Sequence, residues 1–286
     1  MKLASFEALW GLEGSLEEQL DGVKGRGYDG VEGGVPHFLA RLGVIRQDEV
    51  ADFPHVLADS GLLYIPMVFT YDSLLSNRWD GVVFDDGLSH ADSFKAQVDD
   101  AMKYDPVQIT SHSGSDAMDL AAAVEFFEMA LEVERDTGVK IGHETHRWRI
   151  LFSPFAWRDI HRELPDVRTV ADLSHWVNVC ERLPVDLVEE LDSCIASSIH
   201  IHARVGHPEG PQVNDPRAPE NDRFVAWHED AWRRVLEHRR DDAPDLVTYN
   251  PEYGPAPYLP STPYDQRPLA DLNQVRLWTR ERVERT

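Results

Sequence analysis

Strand-like and helix-like segments alternate from one end of this chain to the other, and that alternation limits the fold more than any other feature. Eight short segments rich in Val, Ile, Leu and Tyr are bounded by Gly, Pro or Asp: LASFEAL (3–9), YDGVEGG (28–34), LLYIPMVFT (62–70), PVQITSHSG (106–114), VKIGHETH (139–146), VRTVADLSHW (167–176), CIASSIHIHA (194–203) and DLVTYNPEYG (245–254). That is strand chemistry. Amphipathic stretches lie between them. In SDAMDLAAAVEFFEMALEVERDTG the expected N-cap is Ser115, acids fill the first turn, and Gly138 ends the helix. RFVAWHEDAWRRVLEHRRD (223–241) carries apolar residues at helical spacing. Eight such units in 286 residues match the count and length of a (β/α)8 TIM barrel. A doubly wound sheet would announce itself by a GxGxxG turn after the first strand, and GLEGSLEE lacks it. With no internal repeat and no Ser/Gly linker, residues 1–286 are expected to form a single domain.

Composition narrows the partners. Lys and Arg total 28 against 51 Asp and Glu, a formal net charge of −23. Such a surface repels phosphate backbones, so no nucleic acid is expected as partner. No apolar run is long enough for a membrane span, and the N-terminus carries acids where a signal peptide needs uninterrupted apolar residues. The expectation is a cytoplasmic protein with no membrane partner. Cys180 and Cys194, without CxxC spacing, read as ordinary thiols. The oligomeric state, a homo-oligomer included, stays open.

In a TIM barrel the site lies at the C-terminal ends of the strands. Chemically capable residues gather there: Glu32 on the second strand, His112 on the fourth, Glu144 and His146 on the fifth, Asp172 and His175 on the sixth, His200 and His202 on the seventh, Glu252 on the eighth. Residues two apart on a strand face the same way, so Glu144 pairs with His146, and His200 with His202. His143 should point the other way. A cup of three carboxylates and one imidazole suits one divalent metal ion, Mn²⁺, Mg²⁺, Co²⁺ or Zn²⁺; without a cation the carboxylates would repel one another. Each residue also has a plainer explanation: Glu144 paired with Arg147 or Arg149, Asp172 capping the next helix. Trp10, Trp148 and Trp176 near strand ends are equally candidates for pocket lining and for packing.

These residues resemble the xylose isomerase-like TIM barrel superfamily, the sugar phosphate isomerase/epimerase group of ketose epimerases, inosose dehydratases and apurinic endonucleases. The resemblance runs from GYDGVEGG to NPEYGP, and its specific parts are ETHR, DLSH and HIHAR. It implies metal ligands at Glu144, Asp172, His202 and Glu252. It selects His202 over His200, as the second His of HxH ahead of the basic Arg204, and makes His175 a substrate contact.

The expected reaction is isomerisation or epimerisation of a sugar or sugar-like polyol. Glu144 and Glu252 act as the catalytic pair that takes and returns a proton through an enediolate. His146, His175 and His112 would bind substrate, and Arg204 would stabilise a developing oxyanion. Scarce lysines argue against a hydride-shift isomerase. A lyase or dehydratase acting on a keto-sugar or inosose would use the same residues, and a non-catalytic carbohydrate-binding barrel is the remaining alternative. The proline-rich loop RVGHPEGPQVNDPRAPEND after the seventh strand is long enough to serve the site, with His207, Gln212 and Arg217 as its candidate contacts. No Gly-rich phosphate cradle is present, so a non-phosphorylated carbohydrate is expected.

Overall fold

The computed structural model describes residues 2–73, 78–79, 82–83, 86–242 and 245–286. Eight parallel strands close a barrel: β1 (Lys2–Ala8), β2 (Gly30–Gly34), β3 (Leu63–Phe69), β4 (Ile109–His112), β5 (Ile141–Glu144), β6 (Arg168–Ala171), β7 (Ser198–His202) and β8 (Leu246–Asn250). Each pairs with its sequence neighbours, and β8 returns to β1 with Ser5 opposite Tyr249. This is the expected (β/α)8 architecture. A short antiparallel pairing of Arg78–Trp79 with Val82–Val83 lies outside the barrel.

The interior changes character along its axis. At the base, Ala4, Phe6 and Ile65 pack with Leu63, Val107 and Leu246. Phe6 leaves no room beside it: a Cβ on Gly30 would sit 2.4 Å from the Phe6 ring, so only glycine fits that register position. Toward the C-terminal ends the interior residues become Glu32, Thr110, His200, Thr248 and Asn250, joined by hydrogen bonds. The apolar plug supplies cohesion, and the polar layer forms the floor of the site.

Helices bury their apolar stripes against the outside of the barrel. Leu120–Thr137 presents Ala123, Phe126, Phe127 and Ala130 inward, at spacings of three and four residues. Truncating Phe127, which is fully buried, to alanine would cost about 3–5 kcal/mol. Its N-cap is Asp119, whose side chain accepts from Ala122 N–H, and not Ser115. Ser115 lies four residues upstream, in a turn where its hydroxyl accepts from Ala117 N–H. Gly138, at φ 73°, ends the helix as expected. Two strand boundaries also move. Residues 173–179 form a short helix, capped by the Asp172 side chain accepting from Ser174 N–H. Cys194–Ser197 belong to the helix Val188–Ser197, so β7 begins at Ser198. No helix among the described residues is long and apolar enough to cross a membrane.

Candidate metal centre

Four strands, β5 to β8, end in the same tight turn. The N–H two residues on donates back to the strand carbonyl: His146 to Glu144 (2.9 Å), Asp172 to Val170 (3.1 Å), Arg204 to His202 (3.0 Å) and Glu252 to Asn250 (2.8 Å). Such turns are common where strands finish. Here they hold one polar side chain after another over the barrel mouth. One ligand-capable atom from each of Glu144, Asp172, His202 and Glu252 lies within 4.8 Å of the others, and all four side chains are buried. His202 Nδ1 stands 2.9 Å from Glu252 Oε2 and 3.4 Å from Glu144 Oε2.

The remaining contacts surround this group. Arg204 Nε donates to Asp172 Oδ2 (3.0 Å), and its Nη2 reaches both Asp172 and Glu252, the latter at 2.9 Å. His175 Nε2 lies 3.6 Å from Asp172 and 3.9 Å from Glu144. The His146 ring sits between those of His175 (3.9 Å) and His112 (4.6 Å). His112 Nε2 is 2.5 Å from Glu144 Oε2. Together, His112, Glu144 and His146 form a second potential cation-binding group that shares Glu144 with the first. Tyr258 roofs the site, 5.0 Å from the Arg204 guanidinium and 5.2 Å from that of Arg147.

A third group lies beneath. Glu32 accepts from Thr110 Oγ1 (2.6 Å) and Asn250 Nδ2 (2.8 Å), and faces His200 Nε2 (3.2 Å) and His202 Nε2 (3.1 Å). Burial opposes charge on His202, but Glu32, Glu252 and Glu144 around it raise its pKa well above that of an ordinary histidine; with a cation bound, the Nε2–H donated to Glu32 would leave the Nδ1 lone pair turned toward Glu144 and Glu252. This is the arrangement of a metal-ligating histidine with a carboxylate behind it.

The electrostatics follow from burial and crowding. Burial raises the Glu144 carboxyl, but His112 and His202 beside it outweigh that and hold it well below the usual carboxylate range. For Asp172, burial prevails; despite Arg204, its pKa rises to about 6, with Glu144 and Glu252 adding to the rise. Burial holds His146 and His175 neutral, well below an ordinary histidine. Both Glu144 oxygens, His202 Nδ1, His175 Nδ1 and both His112 nitrogens are buried without a hydrogen bond of acceptable geometry. Orphaned buried polar atoms cost about 1–3 kcal/mol each, and carboxylate oxygens and imidazole lone pairs converging on one point fit a divalent cation.

Other candidates lie elsewhere. His207 sits in a turn closed on Gly210, with its ring 6.3 Å from that of Phe224. Gln212 instead ties the loop to the β8 end by exchanging two hydrogen bonds with the Gly254 backbone (3.0 and 2.8 Å). Arg217 pairs with Asp215 at 2.7 Å. Trp176 is core, donating to Leu151 O, whereas Trp148 is 46% exposed and Trp10 packs on Tyr258. His143 points outward among Phe94 and Phe127, its Nδ1 2.6 Å from Ser113 Oγ. Sequence reasoning passed over Asn250 and Tyr258. Asn250 is the polar residue two before Glu252 on the same face; Tyr258 gave no signal, since it lies six residues beyond it in a loop.

No family model matches the chain, and no curated protein matches it in sequence. Solved structures do. D-allulose 3-epimerase from Methylomonas sp., in complex with D-allulose, superposes with a TM-score of 0.63 at 14% identity, covering 99% of this chain and 97% of that one. The probable 3-DHS dehydratase from Bacillus anthracis gives 0.59 at 12%, covering 99% of each. Endonuclease IV from Thermus thermophilus gives 0.55 at 14%, covering 100% of each. The chain shares the (β/α)8 barrel fold of these proteins. At these identities the likeness carries the fold and no assignment of substrate.

Proposed function

We propose that this protein is a metal-dependent isomerase or epimerase of a sugar or sugar-like polyol, working by proton transfer. The observation that carries the reading is the convergence of Glu144, Asp172, His202 and Glu252 within 4.8 Å, buried, from four consecutive strand ends. A divalent cation held by these four would supply Lewis acidity that acidifies the C–H between a carbonyl and a hydroxyl carbon. Glu144 and Glu252 approach His202 from the ends of β5 and β8, so one removes the proton and the other returns it through an enediolate. Arg204, already bound to Asp172 and Glu252, opposes the rise at Asp172, helps hold Glu252 ionised, and offers its buried Nη1, which has no hydrogen-bond partner, to substrate oxygen. The neutral His146 and His175 orient hydroxyl groups. Glu32 positions His202.

Fold neighbours include an epimerase that binds D-allulose, which supports the carbohydrate class. A dehydratase of the same fold supports the second reading, in which the enediolate expels a hydroxide instead of being reprotonated. Chelator treatment followed by re-addition of Mn²⁺, Mg²⁺, Co²⁺ or Zn²⁺ tests the proposal. Conversion of a ketose to its epimer should vanish and return, whereas conversion that survives chelation would refute it.

A further inference from the structure

Three arginines are buried among the described residues, Arg149, Arg204 and Arg276. Two of them use the same edge of the guanidinium, the parallel pair Nε and Nη2. Arg204 turns it on Asp172, and Arg276 turns it on the Tyr253 carbonyl, with Nε at 2.9 Å and Nη2 at 2.6 Å. Arg149 leaves that edge empty. Its Nη1 donates to the carbonyls of Thr70 (2.7 Å) and Gly114 (3.2 Å) and the Trp148 ring lies 5.2 Å from the guanidinium, while Nε and Nη2 are buried with no hydrogen-bond partner. The residue is 3% exposed, and no carboxylate among the described residues pairs with it.

The position is specific. Arg149 belongs to the turn after β5, where its N–H donates to His146 O. Thr70 and Gly114, which hold its head, follow β3 and β4, and the Thr70 hydroxyl donates to the carbonyl of His112. The guanidinium therefore sits at the barrel mouth on the β3–β4 side, next to the histidine that reaches Glu144. We propose that the free edge of Arg149 receives a carboxylate of the substrate, so that the carbohydrate handled here is a sugar acid. The inference rests on the proton-transfer reading above and adds the substrate class to it.

Chemistry selects the ligand. A buried cation in no direct ion pair is held at a desolvation cost, and an anionic substrate group would offset that cost on binding. Burial already lowers the Arg149 pKa to about 10, with Glu144 and Asp116 opposing the fall. Two parallel N–H donors match the two oxygens of a carboxylate side on. A phosphate would want further donors, and the N–H of Gly114, whose carbonyl holds Nη1, is already given to Thr70 Oγ1 at 2.7 Å.

The test uses metal-loaded full-length protein and three ketoses that differ only at C6: D-fructose, D-fructuronate and D-fructose 6-phosphate. Calorimetric affinities are measured for the natural protein, Arg149→Lys and Arg149→Met, with metal content and melting temperature as controls on folding. The natural protein should bind fructuronate roughly 10- to 100-fold more tightly than fructose, the advantage of charge-assisted paired hydrogen bonds. Arg149→Lys, which keeps the charge and can keep one carbonyl bond, should lose most of that ratio, and Arg149→Met all of it. If Arg149→Met does not fold, Arg149→Lys alone decides. Equal affinity for fructose and fructuronate, a ratio unchanged in the folded variants, or preference for the phosphate would overturn the proposal. Solvent-deuterium exchange on neutral and acidic sugars equally would leave the proton-transfer reading standing and remove this one. Selective fructuronate binding with no exchange on any sugar would do the reverse.

Discussion

Replacing Glu32 by glutamine tests whether the floor of the site governs its ligands. The carboxylate receives Thr110 and Asn250 and faces two imidazoles at 3.1–3.2 Å. Burial opposes its ionisation, yet His202 and His200 hold it well below the usual carboxylate range. Glutamine keeps the volume, loses the charge, and turns an amide N–H toward groups that are themselves donors. Breaking a buried charge pair in this way costs ~3–5 kcal/mol. Unfolding entropy of about 2.1 cal/mol/K per residue gives roughly 0.6 kcal/mol/K for this chain, so the melting temperature should fall by about 5–8 °C. Without the carboxylate behind it, His202 is free to change tautomer, and metal affinity should drop about 10- to 100-fold. Scanning calorimetry of chelated protein and competition with a fluorescent chelator measure the two effects. A melting temperature within a degree of the natural protein, together with unchanged metal affinity, would refute the positioning role.

The ligand set predicts that Glu252→Gln and His202→Ala lose most of the bound metal, read by elemental analysis; full retention in both would remove the proposed centre. His175→Ala should keep the metal and lose at least ~90% of turnover if it serves, as proposed, as a substrate contact beside Asp172 and Glu144; loss of metal from folded protein would make it a ligand instead. The fully buried His228 donates Nδ1–H to Phe224 O and accepts from Gly206 N–H at Nε2, so it is held neutral. Burial lowers its pKa to about 4 from an unfolded value of 6.5. Because the folded state resists protonation, the stability it protects is complete above pH 6.5 and is lost as pH falls toward 4. The loss amounts to about 2 kcal/mol by pH 5. Urea titrations at pH 7 and 5 should show that decrement shrink in His228→Gln; an equal decrement in both proteins would contradict it.

The barrel was legible because its signal is repeated eight times and each strand carries its own turn punctuation. Boundaries were less so. VRTVADLSHW looks like one strand because Leu173 and Trp176 are apolar, but they belong to the buried face of a helix that Asp172 caps. Ile195 likewise gives a helix end the look of a strand. The cluster at the β5–β8 ends followed from strand order and alternation, which place Glu144 and His202 inward and His143 outward. What the sequence withheld depends on distance in the chain. Glu32 meets His200, His202 and Asn250 across separations of 168, 170 and 218 residues. Whether Arg149 has a partner is likewise a property of the folded mouth. His207 lies against Phe224 in a loop fastened to the β8 end through Gln212, contacts that likewise depend on the fold.

Proton transfer at carbon is the central claim, and solvent exchange measures it most directly. Metal-loaded protein incubated in D₂O with a panel of neutral and acidic ketoses, aldoses and inososes is followed by NMR, beside Glu252→Gln and chelated protein. The account predicts metal-dependent incorporation of deuterium at the carbon next to a carbonyl, abolished in both controls. Turnover with no solvent deuterium in the product, or exchange that persists without Glu252 and without metal, would contradict it.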